Sequence, residues 1–514
     1  MRSDDGIRIR TRRHPGEPVV PALEVEPCLM VLFGATGDLA ERKIFPALYE
    51  LAALDRLPEQ FGLIAFSRSA LDEDAFRDRV RAGLGQFARS LPLDEKVWAW
   101  LSSRISCVSG SVDDPASFAR LRAKIDTLTQ QCDTEGNLLH YLATPASGFR
   151  PLLEGLAGVG LLERAPRGHD GPWHRLVIEK PFGEDLESAR ALNQSLWEVL
   201  DESQIFRIDH YLGKETVQNL TVFRLANAIF EPLWNRQHID RVEITAAETL
   251  GVAGRGRFYD ETGVVRDMVQ NHLIQVLSLV AMEPPVSLDA EDIRNEKHKV
   301  MRAMRSMLVD EVRQSVVHGQ YEGFRQEEGV APDSLTASYV ALKVNVDTWR
   351  WQGVPFYVRA GKRLARRVTE VRVHFKTVPF SLFSTSEQCQ RLEPNVLTFR
   401  IQPQEGISLR MESKVPGDGV ELASVTMDFG YASTFKRPIP EAYERLLHDV
   451  MRGDATHFAR ADSVEEAWRY VMPILEAHAS GAAGTVHLYR VGSEGPDAAA
   501  RLLAQEGRRW TPLS

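Results

Sequence analysis

The densest group of chemically capable side chains is the segment RIDHYLGK, Arg207 to Lys214. It packs Asp209, His210, Tyr211 and Lys214 into six positions ahead of an apolar helical pattern. If Lys214 opens that helix, His210 and Lys214 can face one anion, helped by the free N–H groups of the helix start. Imidazole, phenol and ammonium all offer donors, which suits a phosphate. A second polar group is Arg266-Asp267-Met268-Val269-Gln270-Asn271-His272. His272 sits in a strongly apolar helical context. A lone histidine there is more often a satisfied core residue than a base, and nothing local singles it out among the 14 histidines. Chemistry that removes a hydroxyl proton while hydride leaves the same carbon needs a neutral base near pH 7. A carboxylate partner would fix the tautomer of such an imidazole.

A third feature is the turn Gly34-Ala35-Thr36-Gly37-Asp38-Leu39-Ala40, followed by Glu41. It follows an apolar run, Cys28 to Phe33, and leads into a helical pattern. Glycines let the backbone approach a phosphate, and the helix start presents N–H groups to it. The spacing is GxxGxxA rather than GxGxxG, so its position after the first strand carries the reading. The second strand ends Phe66-Ser67-Arg68-Ser69. A carboxylate there would hold a ribose 2′-hydroxyl; Arg68 instead suits a 2′-phosphate and so NADP. Two acids, Asp72 and Asp74, follow close behind.

The elements that must carry these groups change character along the chain. In the first half, strands at Cys28–Phe33, Gly62–Phe66, Ile105–Ser109, Leu138–Ala143 and Arg175–Glu179 alternate with helical stretches at Leu39–Leu54, Asp74–Gly83 and Ala116–Leu128. Alternation implies a parallel sheet covered on both faces. The second half predicts helices over Phe223–Phe230, Met268–Ala281 and Ser463–His478. It also predicts strands over Arg241–Ala247, Ala337–Val346, Glu370–Phe375 and Val396–Ile401, in a mostly antiparallel sheet. The boundary falls near Arg207. Residues 1–26, with Arg2, Arg8, Arg10, Arg12 and Arg13 and no apolar stretch, are expected to be a mobile tail rather than a secretory signal. The 514 residues carry a formal net charge of -9, which argues against a nucleic-acid partner but not against a local phosphate site. Cys28, Cys107, Cys132 and Cys389 form no CxxC pair, so neither a disulfide scaffold nor a metal site is expected, and a reduced, cytoplasmic setting fits. No apolar run is long enough to span a membrane.

Together the motifs become specific. RIDHYLGKETVQNL, VIEKPFG, FYDETGVVRDMVQNHLIQ and VPFYVRAGKRL closely resemble glucose-6-phosphate dehydrogenases, as do LFGATGDLAERKIFPALY, DIRNEKHKV, WRWQGVPF and YERLLHDVMRGD. The likeness runs from about Cys28 to Trp510. It implies an α/β Rossmann-type coenzyme domain, residues 27–208, followed by a larger α+β domain with a mostly antiparallel sheet, residues 209–514. It implies oxidation of glucose 6-phosphate with NADP, opening the pentose phosphate pathway, in a homodimer or homotetramer. By matching motifs it implies His272 as proton acceptor and Asp209 as its partner. His210, Tyr211 and Lys214 would hold the substrate phosphate, and Lys180 would touch coenzyme and sugar. Glu248, Asp267, Lys362, Arg367 and Gln402 would be further substrate contacts. Gly34, Ala35, Thr36, Gly37, Asp38, Leu39, Ala40, Glu41, Arg68 and Tyr141 would be coenzyme contacts. A cis bond before Pro181 fits a turn that must place Lys180 in the cleft. The chain departs from the family pattern in YLATPAS, with one proline where two are common, and in VGSEGP, where Glu494 replaces a frequent aromatic.

Two other readings compete. One is a related sugar or amino-acid dehydrogenase sharing the EKP motif. The other is a non-catalytic, NADP-binding regulatory subunit on the same fold, which should have lost part of the acid–base set that this chain keeps.

Overall fold

The computed structural model describes residues 24–69, 72–166, 168–252, 254–383, 392–436 and 438–513. Residues 1–23 of the expected tail, and Cys389, lie outside them.

The first layer is built from β1 (Cys28–Phe33), β2 (Phe61–Ser67), β3 (Ile105–Ser109), β4 (Leu138–Leu142), β5 (His174–Ile178) and β6 (Ile205–Ile208). They run parallel in the order β6-β5-β4-β1-β2-β3. Strands covered on both faces need apolar residues throughout, and every residue of β1, β2 and β4 is buried. The strand period sends Leu29, Val31 and Phe33 into one core and Cys28, Met30 and Leu32 into the other. Each such side chain contributes about 1.5–3 kcal/mol on burial. The helix Glu73–Phe87 starts at Asp72, whose carboxylate accepts from Ala75 N–H at 2.9 Å. Asp74 pairs with Arg77 at 2.8 Å. The two acids that follow Arg68 therefore have local structural partners.

The second sheet contains β7 (Ile239–Ala247), β8 (Val316–Tyr321), β9 (Tyr339–Val344), β10 (Phe356–Gly361), β11 (Val368–Phe375), β12 (Val396–Gln402), β13 (Gly406–Lys414) and β14 (Leu422–Gly430). Its order is β14-β13-β12-β11-β7-β10-β9-β8. The pairings are antiparallel except that β10 runs parallel to β7. Later chain joins both sheets. β15 (Phe458–Ala459) pairs antiparallel with β6, and β16 (His487–Tyr489) pairs parallel with β8. The helix Ala442–Met451 also packs against Phe45–Ala53 of the first layer.

Three expected helices differ from the structure. The one placed over Leu39–Leu54 is a π-helical turn, Ala40–Ile44, running into an α-helix, Phe45–Ala53. The helix placed over Phe223–Phe230 instead spans Glu215–Leu225, because it starts at Lys214, and the chain beyond it turns through Asn227 and a short 3-10 turn containing Pro232. The helix placed over Met268–Ala281 is two segments. Val265–Leu273 is wound as a π-helix and Ile274–Ala281 as an α-helix. Wide π turns recur at functional sites because they re-aim side chains.

Candidate active site

Most of the polar residues singled out in the sequence lie at or just past the ends of strands of the two sheets. Gly34 follows β1, Arg68 follows β2, Tyr141 ends near the close of β4, Lys180 follows β5 and Asp209 follows β6. These are the carboxyl ends of parallel strands, and β1 and β4 flank the point where strand order reverses, the usual ligand crevice of such sheets. From the second sheet, Glu248 follows β7, Lys362 follows the parallel β10, and Gln402 closes β12.

At the centre, His272 Nδ1 donates to Asp209 Oδ1 at 2.5 Å. Both side chains are almost wholly buried, at 1% and 2% exposure. Asp209 Oδ1 also accepts from the Tyr211 backbone N–H at 3.0 Å. Burial pushes the Asp209 carboxyl up, but His272 outweighs it and holds the carboxylate at about 2. Burial also lowers His272, and Lys180 adds to this against the opposing pull of Asp209. The imidazole is therefore neutral, with its proton on Nδ1 and its lone pair on Nε2. Lys180 Nζ lies 2.9 Å from Nε2 and 3.2 Å from both Asp267 Oδ1 and the Asp267 carbonyl. The π-helical turn carries Asp267 and His272 together, and the Lys180–Pro181 peptide bond is cis. Burial raises the Asp267 carboxyl, but Lys180 and Lys362 prevail and keep it below the ordinary value.

Tyr211 stacks on His272 with ring centroids 4.2 Å apart and planes 17° apart. His210 meets the same ring edge-on at 4.5 Å. Burial, reinforced by His272 and Lys180, holds His210 well below the ordinary imidazole value, leaving a neutral ring with one N–H to donate. Lys214 caps the helix Glu215–Leu225 in extended backbone and is half-buried. Lys362, buried among apolar strands, reaches Glu248 at 2.6 Å and lies over the Tyr259 ring at 4.9 Å. Gln402 donates to Thr369 Oγ1 at 2.9 Å. Arg367 stands apart: it is exposed just before β11 and shares no hydrogen bond or ion pair with the others among the described residues.

Ligand atoms of Asp209, His210 and His272 lie within 4.8 Å of one another, close enough for a cation. The Lys180 ammonium against Nε2 opposes that use, because it places a positive charge where a metal would sit.

On the coenzyme side, Gly34 has φ +79°, and a Cβ there would stand 2.5 Å from the Ala143 carbonyl oxygen. Only glycine fits both the angle and the approach. Gly37 N–H donates to Gly34 O at 2.9 Å, tightening the turn into the π-helical turn Ala40–Ile44. Thr36 Oγ1 lies 3.5 Å from Ser67 Oγ, tying the turn to the end of β2, and Arg68 is exposed beside it. Ala35 and Ala40 are buried beneath the turn, while Asp38 is exposed and pairs with Arg42 at 2.7 Å. Leu39 is partly buried against the apolar core. These features fit the pyrophosphate of a dinucleotide. Tyr141 is fully buried, and its hydroxyl donates to Glu179 at 2.6 Å rather than facing the crevice.

Sequence reading missed several supporting residues. Arg79 holds the turn by donating to Thr36 O at 2.9 Å and pairing with Glu41 at 3.0 Å. Glu179 sits inside the motif VIEKPFG without having been singled out. Thr369 supports Tyr211 and Gln402. The hydroxyl of Tyr259, a buried ring, has no hydrogen-bond partner among the described residues. Only the position of Glu179 beside Lys180 was a signal available in advance.

Residues 31–219 match the family described as glucose-6-phosphate dehydrogenase, NAD binding domain, and residues 221–511 match its C-terminal domain. The chain belongs to the glucose-6-phosphate dehydrogenase family. It is thus an oxidoreductase with a nicotinamide-dinucleotide-binding domain. It is 46% identical over 500 residues to a glucose-6-phosphate 1-dehydrogenase of Aggregatibacter actinomycetemcomitans, covering 95% of this chain and 98% of that one. It is 42% identical to the enzyme of that name from Chlamydia pneumoniae over 499 residues, covering 95% of this chain and 96% of that one. A solved glucose-6-phosphate dehydrogenase in complex with its substrate glucose-6-phosphate superposes with TM-score 0.87 at 32% identity, covering 96% of this chain and all of that one. A crystal structure of the Mycobacterium avium glucose-6-phosphate 1-dehydrogenase gives TM-score 0.80 at 40% identity, covering 95% of this chain and 99% of that one. No helix among the described residues is long and apolar enough to cross a membrane.

Proposed function

We propose that this protein oxidises D-glucose 6-phosphate at C1 to 6-phospho-D-glucono-1,5-lactone while NADP becomes NADPH, the first oxidative step of the pentose phosphate pathway. The observation that carries this reading is the buried Asp209–His272 pair, whose unprotonated Nε2 is contacted by Lys180.

His272 Nε2 takes the proton of the C1 hydroxyl, and Asp209 stabilises the imidazolium that forms. A bound nicotinamide would supply the acceptor for the hydride that leaves C1. His210, Tyr211 and Lys214 hold the substrate phosphate at the start of the helix Glu215–Leu225. Glu248, Asp267, Lys362 and Gln402 are left for sugar hydroxyls or the phosphate, with Arg367 reaching in from the rim. Lys180 lies between His272 and Asp267 and orients both. Gly34 to Glu41 cradle the pyrophosphate. Arg68 pairs with the 2′-phosphate, since Asp72 and Asp74 are engaged elsewhere. Tyr141 supports the coenzyme side from beneath through Glu179.

The same reading assigns residues 27–208 to coenzyme and 209–514 to substrate and assembly, in a cytoplasmic homodimer or homotetramer. Support for assembly comes from β14, which is exposed along most of its length and carries Val425 at 41% and Met427 at 38% exposure. The test is an initial-rate comparison of glucose 6-phosphate and free glucose with NADP and with NAD. A strong preference for the phosphorylated sugar and for NADP is expected. Equal rates on free glucose would remove the phosphate role of His210 and Lys214.

A further inference from the structure

Glu179 is a partly buried acid next to the site to which the chemistry above gives no proton to move and no ligand to hold. One of its oxygens, Oε1, accepts from two phenols: Tyr141 at 2.6 Å and Tyr443 at 3.2 Å. The three residues come from three separate elements. Tyr141 is on β4, and Glu179 directly follows β5, whose register places Tyr141 opposite Val177. Tyr443 is 264 positions further along, on the returning helix Ala442–Met451. The carboxyl therefore joins the coenzyme layer to the chain that comes back from the second domain. Its next residue is Lys180, whose ammonium contacts the base and Asp267.

We propose that Glu179 is a positioning residue: held by Tyr141 and Tyr443, its carboxylate anchors the backbone that presents Lys180 to His272, and its loss of a proton switches the site into its productive arrangement. This rests on the function proposed above. The reason is acceptor strength. Both phenols donate to the same oxygen, and an ionised carboxylate makes charge-assisted hydrogen bonds to both that are shorter and stronger than neutral ones. A neutral carboxyl still offers that oxygen, but as a weaker acceptor, so both contacts loosen when the proton is bound. The groups facing Glu179 are Tyr141 from β4, Tyr443 from the returning helix, Lys180 from its own segment and Asp209 beyond β6. Burial pushes the carboxyl up to about 7, with Asp209 adding to the rise and both tyrosines and Lys180 opposing it. The switch thus falls in the working range of pH.

The test is the pH dependence of kcat and KM of the full chain with glucose 6-phosphate and NADP, alongside Glu179→Gln and Tyr443→Phe. Glutamine keeps the shape and an acceptor oxygen but cannot ionise. The unaltered chain should gain activity as pH rises through neutrality. Glu179→Gln should lose that rise and have roughly tenfold lower kcat with little change in KM. Tyr443→Phe removes a donor that favours the anion, so it should move the rise to higher pH. A Glu179→Gln profile that matches the unaltered one would overturn the proposal. So would a variant that melts earlier but keeps the rise, since Glu179 would then be structural only. Absence of activity in the unaltered chain would overturn the functional reading and this inference with it, a pattern distinct from either of the other failures.

Discussion

The two sides of the cleft are built differently. On the proposed coenzyme side, the surface on offer is largely backbone: Gly34 at positive φ, the turn to Gly37 and a helix start, with Arg68 and Asp38 exposed to solvent. On the proposed substrate side, it consists of side chains already paired with one another. His272 with Asp209, Lys180 with Asp267 and Lys362 with Glu248 form three such pairs, mostly buried. A backbone cradle tolerates changes in its side chains. A buried paired site does not, because removing one partner leaves the other without compensation, at a cost of about 3–5 kcal/mol for a fully buried ion pair. Substitutions on the substrate side should therefore be the more damaging.

The largest effect is expected at the base. His272→Ala should lower kcat by roughly a hundredfold or more in steady-state assays. Near-normal turnover would remove His272 as proton acceptor and end the contrast between the two sides. Asp209→Asn should follow closely, because an amide can hold the ring in the wrong tautomer. The pH profile of that variant reports whether the carboxylate acts through the imidazole. Lys214→Ala should act next and differently. It should raise KM for the sugar phosphate by roughly tenfold or more, the worth of one charge-assisted hydrogen bond, while kcat changes little. An unchanged KM would place the phosphate elsewhere along the cleft.

How much of this could be read in advance follows the same division. β1 to β5 were legible because strands buried on both faces are continuous apolar runs separated by helical patterns, whereas β6 was not, since its four residues run straight into the polar cluster. The Gly34 turn was legible because phosphate cradles need glycine at a fixed place after a strand. RIDHYLGK was legible as a polar cluster for the same local reason. The pairing of Asp209 with His272 was not, since it spans 63 positions and depends on how a π-helix on the second domain faces the first. Periodicity cannot tell a π turn from an α turn, so the helix carrying His272 was expected as one regular segment. Only the family resemblance selected His272. The Glu179–Tyr443 contact depends on a helix that returns from the far end of the chain, and no local pattern announces it.

Smaller effects belong to the coenzyme side. Arg68→Ala should erode the preference for NADP over NAD by roughly tenfold, read from the ratio of kcat/KM values, through loss of one charged contact. An intact ratio would move the 2′-phosphate site away from β2. Arg79→Ala, which frees the Thr36 carbonyl and Glu41, should raise coenzyme KM by only about two- to fivefold, because exposed ion pairs contribute little. If Arg79→Ala proved as damaging as His272→Ala, the coenzyme side would be as preorganised as the substrate side, and the contrast would fail.

The central claim is hydride transfer from sugar C1 to the nicotinamide with His272 as base. It is tested most directly by supplying glucose 6-phosphate deuterated at C1 together with NADP and locating the label by NMR. The account predicts deuterium in the reduced nicotinamide, a slowed rate for the labelled sugar, and loss of both signals in His272→Ala. Deuterium that stays in the sugar product, or is lost to water, would contradict it.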